Sequence, residues 1–156
     1  QVVTKVQAVR AGEGTFWFEK ADLNFAYRSS RFQRETDEVI ARVEFSLNRE
    51  QADLVRNRVN EYTCLRESKQ PLEMPSAGSV FRRPKGYYVG PLIEEAGLKG
   101  FRIGGAQVSP KHAGFIVNTG GATAQDVLSL IAHIQKVIKA KNGVDLTPEI
   151  KIVGVE

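Results

Sequence analysis

Hydrophobic and polar positions along this chain change rhythm several times, and each change predicts an element. Val2 to Val9 is rich in valine and predicts a strand. Ala11-Gly12-Glu13-Gly14 is a turn signal, and Thr15 to Glu19, built on Phe16-Trp17-Phe18, predicts the returning strand. Alternation is strongest over residues 39–47, where Val39, Ala41, Val43, Phe45 and Leu47 interleave with Ile40, Arg42, Glu44 and Ser46. A period of two places the first set on one face, toward a core.

The rhythm then becomes helical. Asn48, with Gln51 three residues on, predicts a capped helix start. Leu54, Val55, Val59, Tyr62 and Leu65 follow at helical spacing, and the helix should end near residue 68, ahead of Pro71. Residues 71–91 hold four of the six prolines together with Val80, Phe81, Tyr87 and Tyr88. A solvated linker has no use for such apolar residues, so this is a long ordered loop of the kind that carries function. Leu92 to Ala96 predicts a short helix closed by Gly97. Residues 101–108 and 115–118 predict short strands among glycines. Thr123 with Asp126 forms a capping box, and Val127, Leu130, Ile131, Ile134, Val137 and Ile138 make one apolar stripe ending at Gly143. His133 lies off that stripe, which predicts a solvent-facing side chain. Ile150 and Ile152 predict a last strand. Strands and helices mix without a βαβ rhythm, so the expected class is α+β, with helices on a small mixed or antiparallel sheet.

Composition narrows the chemistry. The single Cys64 cannot form an internal disulfide, and no Cys/His set has metal-ligand spacing, so no metal site is expected. No apolar run approaches the roughly 20 residues that span a bilayer, and no signal-peptide plan is visible, which favours a cytoplasmic setting. A net charge of +4 and a pI of about 9.3 favour anionic partners. Nucleic acid is disfavoured, because no known binding signature or basic stripe interleaved with aromatics is present.

Four places could carry chemistry. In Ser76-Ala77-Gly78-Ser79-Val80-Phe81-Arg82-Arg83-Pro84, Gly78 lets backbone approach a ligand, and the arginines could hold phosphate or carboxylate oxygens. Spacing alone favours an ordinary turn with solvated arginines. Tyr27-Arg28-Ser29-Ser30 could be a surface cation packed on a ring, Glu149 a solvated carboxylate at a strand edge, and His112 a hydrogen-bonding surface histidine.

Seven segments in order carry a resemblance: Gln70-Pro71, Pro75 to Phe81, Leu92 to Gly100, Gly104 to Ser109, His112 to Asn118, Ala122 to Val127 and Pro148 to Ile150. Together they resemble the C-terminal half of UDP-N-acetylenolpyruvoylglucosamine reductases. Phe25-Ala26-Tyr27-Arg28-Ser29-Ser30 resembles the F-x-Y-R-x-S segment near the end of that family's flavin-binding domain. The resemblance implies residues 1–48 as the tail of the flavin-binding domain and 49–156 as the substrate-binding domain, with the boundary between 48 and 70. The glycine-rich segments that hold the flavin should precede residue 1, so FAD is not expected on these residues alone.

The implied reaction reduces an enolpyruvyl ether on a UDP-sugar to a lactyl ether, with NADPH as reductant and FAD as carrier, in peptidoglycan precursor synthesis. By resemblance Ser79 is the proton donor, Arg28 steadies charge on the substrate carboxylate, and Glu149 polarises the same group. His112 and His133 are left without a role. Many members have Asn before the proline, contacting the diphosphate. Arg83 stands in that place, with Arg66 and Arg82 as further diphosphate candidates and Tyr27 beside Arg28. The short interval between 28 and 79 resembles the form without an extra tyrosine-bearing loop, so something else must close over the substrate. The alternative is a nucleotide-sugar binding module without catalysis.

Overall fold

The computed structural model describes residues 2–33 and 37–154. The chain divides into two compact units, Gln1–Val55 and Arg56–Glu156.

The first unit is a three-stranded antiparallel sheet of β1 (Val3–Arg10), β2 (Gly14–Glu19) and β3 (Glu38–Phe45), in the order β2-β1-β3. Gly12 and Gly14 take left-handed backbone in the turn joining β1 to β2, as its glycines predict. Val6, Ala8 and Leu23 are buried. The side chain of Glu38 is fully enclosed, and its Oε1 accepts 2.9 Å hydrogen bonds from Nη2 of both Arg10 and Arg31. Arg31 also lies 3.7 Å over the Phe18 ring. Two guanidinium groups on one carboxylate offset the cost of taking its charge out of water. β3 forms where alternation predicts it, but the expected core face is not covered by any described residue. Val39 is 69%, Phe45 55% and, just beyond the strand, Leu47 71% exposed. Period two sorts side chains onto faces but does not supply the layer that covers one of them.

Helix α1 (Ala52–Lys69) begins four residues after Asn48, which therefore does not cap it. Its apolar positions are exposed and none of its residues is buried.

The second unit is a four-stranded antiparallel sheet, in the order β4-β7-β6-β5, with helices packed on it. The strands are β4 (Ser76–Ser79), β5 (Arg102–Ile103), β6 (Ala106–Val108) and β7 (Phe115–Asn118); the helices are α2 (Val89–Glu95) and α3 (Ala124–Asn142). Leu130, Ile134 and Ile138 of α3 pack with Leu92 and Ile93 of α2 and with Val80, Phe81 and Val108, all buried. The α3 cap is the predicted box: Thr123 Oγ1 accepts from Asp126 N at 3.1 Å, and Asp126 Oδ2 accepts from Thr123 N at 2.9 Å. The same Oδ2 accepts from Gly105 N, which ties the β5–β6 turn to the helix start. Gly105 has no room for a side chain, since a Cβ would meet the Ala122 backbone nitrogen at 2.4 Å. His133 is half-buried, stacked on Phe101 at 4.5 Å rather than facing solvent. The expected last strand reduces to a single bridge, Phe81 to Pro148, and Ile152 is exposed.

Candidate functional site

Strand β4 lies inside the Pro/Gly-rich stretch and is bulged. Ser76 pairs with Val117 and Ser79 with Phe115, so three steps on β4 match two on β7. The extra residue is accommodated by Gly78, whose φ of +84° is a left-handed value that residues with a Cβ avoid. A bulge re-aims the side chain beside it, and here that side chain is Ser79. After the bulge, Val80 N donates to Gly114 O at 3.0 Å, and Val80 O accepts from Glu149 N at 2.7 Å. Arg82 N donates to Thr147 O at 2.9 Å. The 147–149 segment thus lies along residues 80–82, which brings the Glu149 backbone beside the residue after Ser79 although 70 positions separate the two in sequence. Glu149 is half-buried, with Oε2 out of contact with solvent, and so is not a plain solvated carboxylate.

His112 is half-buried near Ser79. Ser109 Oγ, fully buried, accepts from Lys111 N and His112 N at 3.1 Å, and His112 Nδ1 accepts from Gly114 N at 3.1 Å. A neutral ring accepting at Nδ1 carries its proton on Nε2. A Cβ on Gly114 would lie 3.0 Å from the His112 ring and 3.9 Å from Ser79 Oγ, so the absence of a side chain there gives both groups their room.

A cavity of about 420 Å³ opens beside β4, lined by Arg66, Gln70, Met74, Ser76, Gly78 and Phe115 among others. Arg66 Nε donates to Gln70 Oε1 at 3.2 Å, one helical turn on. A second cavity, of about 320 Å³, is lined by Ala77, Val80, Ile116, Val127 and Ile150 and is mainly apolar. Glu73 forms an ion pair with Lys111 at 3.4 Å, and its carboxyl is held below the usual range first by a backbone N–H and then by that lysine.

The second unit therefore gathers Ser79, Glu149 and Arg66 around β4 and its neighbouring segment. Arg82 and Arg83 follow on the exposed side, and Arg83 lies 3.7 Å over the Tyr88 ring. Tyr27 and Arg28 belong to the first unit. They occupy a tight turn closed by hydrogen bonds between Ala26 and Ser29, with Arg28 at φ +51° and its guanidinium 5.9 Å from the Tyr27 ring. Sequence reasoning does not single out Gln70, Met74 or Gly114 as site residues. The Gln-Pro step carries family likeness, but no spacing rule places it at a cavity. Among the described residues, no cluster of three or more His, Cys, Asp or Glu side chains could hold a metal ion.

Fold and site together define a class, an α+β domain with a cavity beside a glycine-bulged edge strand, and comparison with known proteins makes it specific. The family model described as UDP-N-acetylenolpyruvoylglucosamine reductase, C-terminal domain, matches residues 70–153, and the chain belongs to that family. The enzyme of that name from Caldanaerobacter subterraneus subsp. tengcongensis is 50% identical over 153 residues, which cover 98% of this chain and 50% of the relative. The one from Thermotoga maritima is 48% identical over 153 residues, covering 97% and 53%. The crystal structure of UDP-N-acetylenolpyruvylglucosamine reductase from Thermus caldophilus superposes with a TM-score of 0.79 at 30% identity, covering 96% of this chain and 52% of that one. The chain spans about half the length of these relatives.

Proposed function

We propose that this chain is the substrate-binding part of a flavoenzyme that reduces UDP-N-acetylglucosamine enolpyruvate to UDP-N-acetylmuramate, a step in making peptidoglycan precursors and hence in cell-wall biogenesis, cell shape and division. Residues 1–48 are assigned to the end of the flavin-binding domain and 49–156 to the substrate domain. The observation that carries this reading is the β4 bulge at Gly78, with Ser79 after it and the Glu149 backbone bonded to the next residue.

The donor set fits a flavin-linked reduction. Saturating a carbon–carbon double bond needs a hydride and a proton, and hydroxyl, carboxylate and guanidinium groups handle protons and charge only. Within these 156 residues the single cysteine, Cys64, is exposed and forms no thiol pair. The hydride needed at C3 of the enolpyruvyl group is the chemistry that bound FAD, reduced by NADPH, would supply. Residues of β1 to β3 would form part of its housing. Arg28 balances the charge that builds on the substrate carboxylate as C3 is reduced. Glu149 polarises that group. Ser79 then gives its hydroxyl proton to C2, and the short-lived alkoxide is reprotonated from water. A hydroxyl is a weak acid and serves only beside a strongly basic, enolate-like carbon. Arg66, Arg82 and Arg83 supply cations for the diphosphate. A cytoplasmic location suits soluble NADPH and UDP-sugar, and no helix among the described residues is long and apolar enough to cross a membrane.

Ser79→Ala in the full-length enzyme tests this reading. Flavin reduction by NADPH should persist, while flavin reoxidation by the UDP-sugar should slow by about 10²- to 10⁴-fold. Unchanged turnover removes Ser79 from the chemistry. UDP-sugar binding with no reduction in the wild type would favour a non-catalytic nucleotide-sugar module.

A further inference from the structure

We infer that Tyr88 is a positioning residue for nucleotide-sugar binding: its ring holds the Arg83 guanidinium flat so that the two Nη groups meet the diphosphate. This rests on the function proposed above.

Three contacts fix the loop. Arg83 Cζ lies 3.7 Å over the Tyr88 ring. Arg83 Nε donates to Tyr87 O at 3.2 Å. Tyr87 N in turn donates to Pro84 O at 3.2 Å, across a turn in which Gly86 takes φ +82°. Buried Phe81 and Val89 anchor the two ends of the segment. An arginine on a bare surface surrenders rotamer freedom when it binds, and a stacked one has already surrendered it. With Nε taken by a carbonyl and the π face taken by the ring, the two terminal nitrogens are left to face a ligand. Among the described residues no carboxylate pairs with this guanidinium. Two parallel N–H pairs match two oxygens of a phosphate, which a lysine in the same place would not do.

The location suits the ligand. Arg83 is four residues beyond Ser79, at most about 14 Å of extended chain, the scale of a hexose with its enolpyruvyl arm.

Steady-state kinetics on the full-length flavoenzyme test the assignment. Tyr88→Ala should raise KM for the UDP-sugar about 3- to 10-fold with kcat little changed, and Tyr88→Phe should restore the wild-type KM, because the π face and not the hydroxyl is used. Arg83→Gln should raise KM about 10- to 100-fold, and adding Tyr88→Ala to it should raise KM no further, since the ring acts through the guanidinium. Inorganic pyrophosphate, used as a competitive inhibitor, should weaken in Tyr88→Ala by the same factor as the substrate. Additive effects in the double variant, or pyrophosphate inhibition untouched while KM rises, overturn the inference; the latter would point to stacking on the uracil base. Tyr88→Leu replaces Tyr88→Ala should thermal melting show the alanine variant misfolded. A dead Ser79→Ala together with an unmoved KM in Tyr88→Ala sinks only this inference, whereas an active Ser79→Ala sinks the reaction assigned to the site.

Discussion

Arg28 and Ser79 illustrate how single residues are aimed by left-handed backbone, at the residue itself for Arg28 and at the preceding Gly78 for Ser79. Arg28 has φ +51°, a region where a side chain with a Cβ is strained by about 1 kcal/mol or more. A glycine would be easier there, so the guanidinium is kept at a conformational cost. Arg28→Gly, which relieves that strain but also removes the contacts of the side chain, is therefore expected to change the melting temperature of the chain little while kcat/KM of the full-length enzyme falls about 10²-fold or more. Arg28→Lys, which retains charge but not the planar fork, should fall in between. A drop in melting temperature with activity retained would refute this reading of the turn. The chemistry of these residues is visible in the sequence only through family likeness. Serine after Ala-Gly, arginine after tyrosine and glutamate after proline are common, and nothing local says that a left-handed glycine bends a strand at Ser79 or that the Glu149 amide reaches Val80 O. His112 shows the converse. It is an ordinary loop histidine by sequence, yet it lies half-buried against Gly114, because a residue without a side chain leaves a space that only the folded chain reveals.

At the scale of elements, α3 is the most legible. Cap, stripe and closing glycine all agree from Thr123 to Gly143, and agreement between levels is what fixes an element. Its start also makes a pH prediction. Hydrogen bonds from the Thr123 and Gly105 amides, in that order, hold the Asp126 carboxyl below its ordinary value of 3.8, partly opposed by desolvation. A carboxyl depressed by folding stabilises the fold above its unfolded pKa and loses that contribution as pH falls through the folded one. Asp126→Asn should consequently be less stable than wild type at neutral pH, with the gap closing below about pH 3.8 as wild type takes up its proton; denaturant midpoints across pH measure it. Thr123→Ala, which removes the other half of the box, should cost about 1 kcal/mol. Two elements are harder to read. β4 is hidden because Ser-Ala-Gly-Ser has no hydrophobic alternation. The start of α1 falls later than its sequence predicts because Asn48 has a capping side chain but the helical bonds begin only with Val55 N to Gln51 O.

The chain divides into two units, and among the described residues only the second encloses an extensive apolar core. In the first, β3 carries Val39, Val43 and Phe45 outward; helix α1, which runs across the division at Val55, exposes Leu54, Val59, Tyr62 and Leu65. Exposed apolar area on this scale marks an interaction surface. Under the proposed function the flavin needs residues beyond these 156, so the chain expressed alone should be colourless and should not oxidise NADPH; a yellow preparation with a flavin absorbance band would overturn that. The α+β class follows from the sequence because the longer elements announce their own periods, whereas the exposure of β3 and α1 does not, since alternation describes a face and is silent on what covers it. For anyone handling these residues as an isolated reagent, the practical outcome is surfactant-like behaviour. Adsorption to plastic, retention on a hydrophobic matrix and crowding at an air–water boundary will be governed by the outward valines, leucines and phenylalanine, long before anything that happens at the serine.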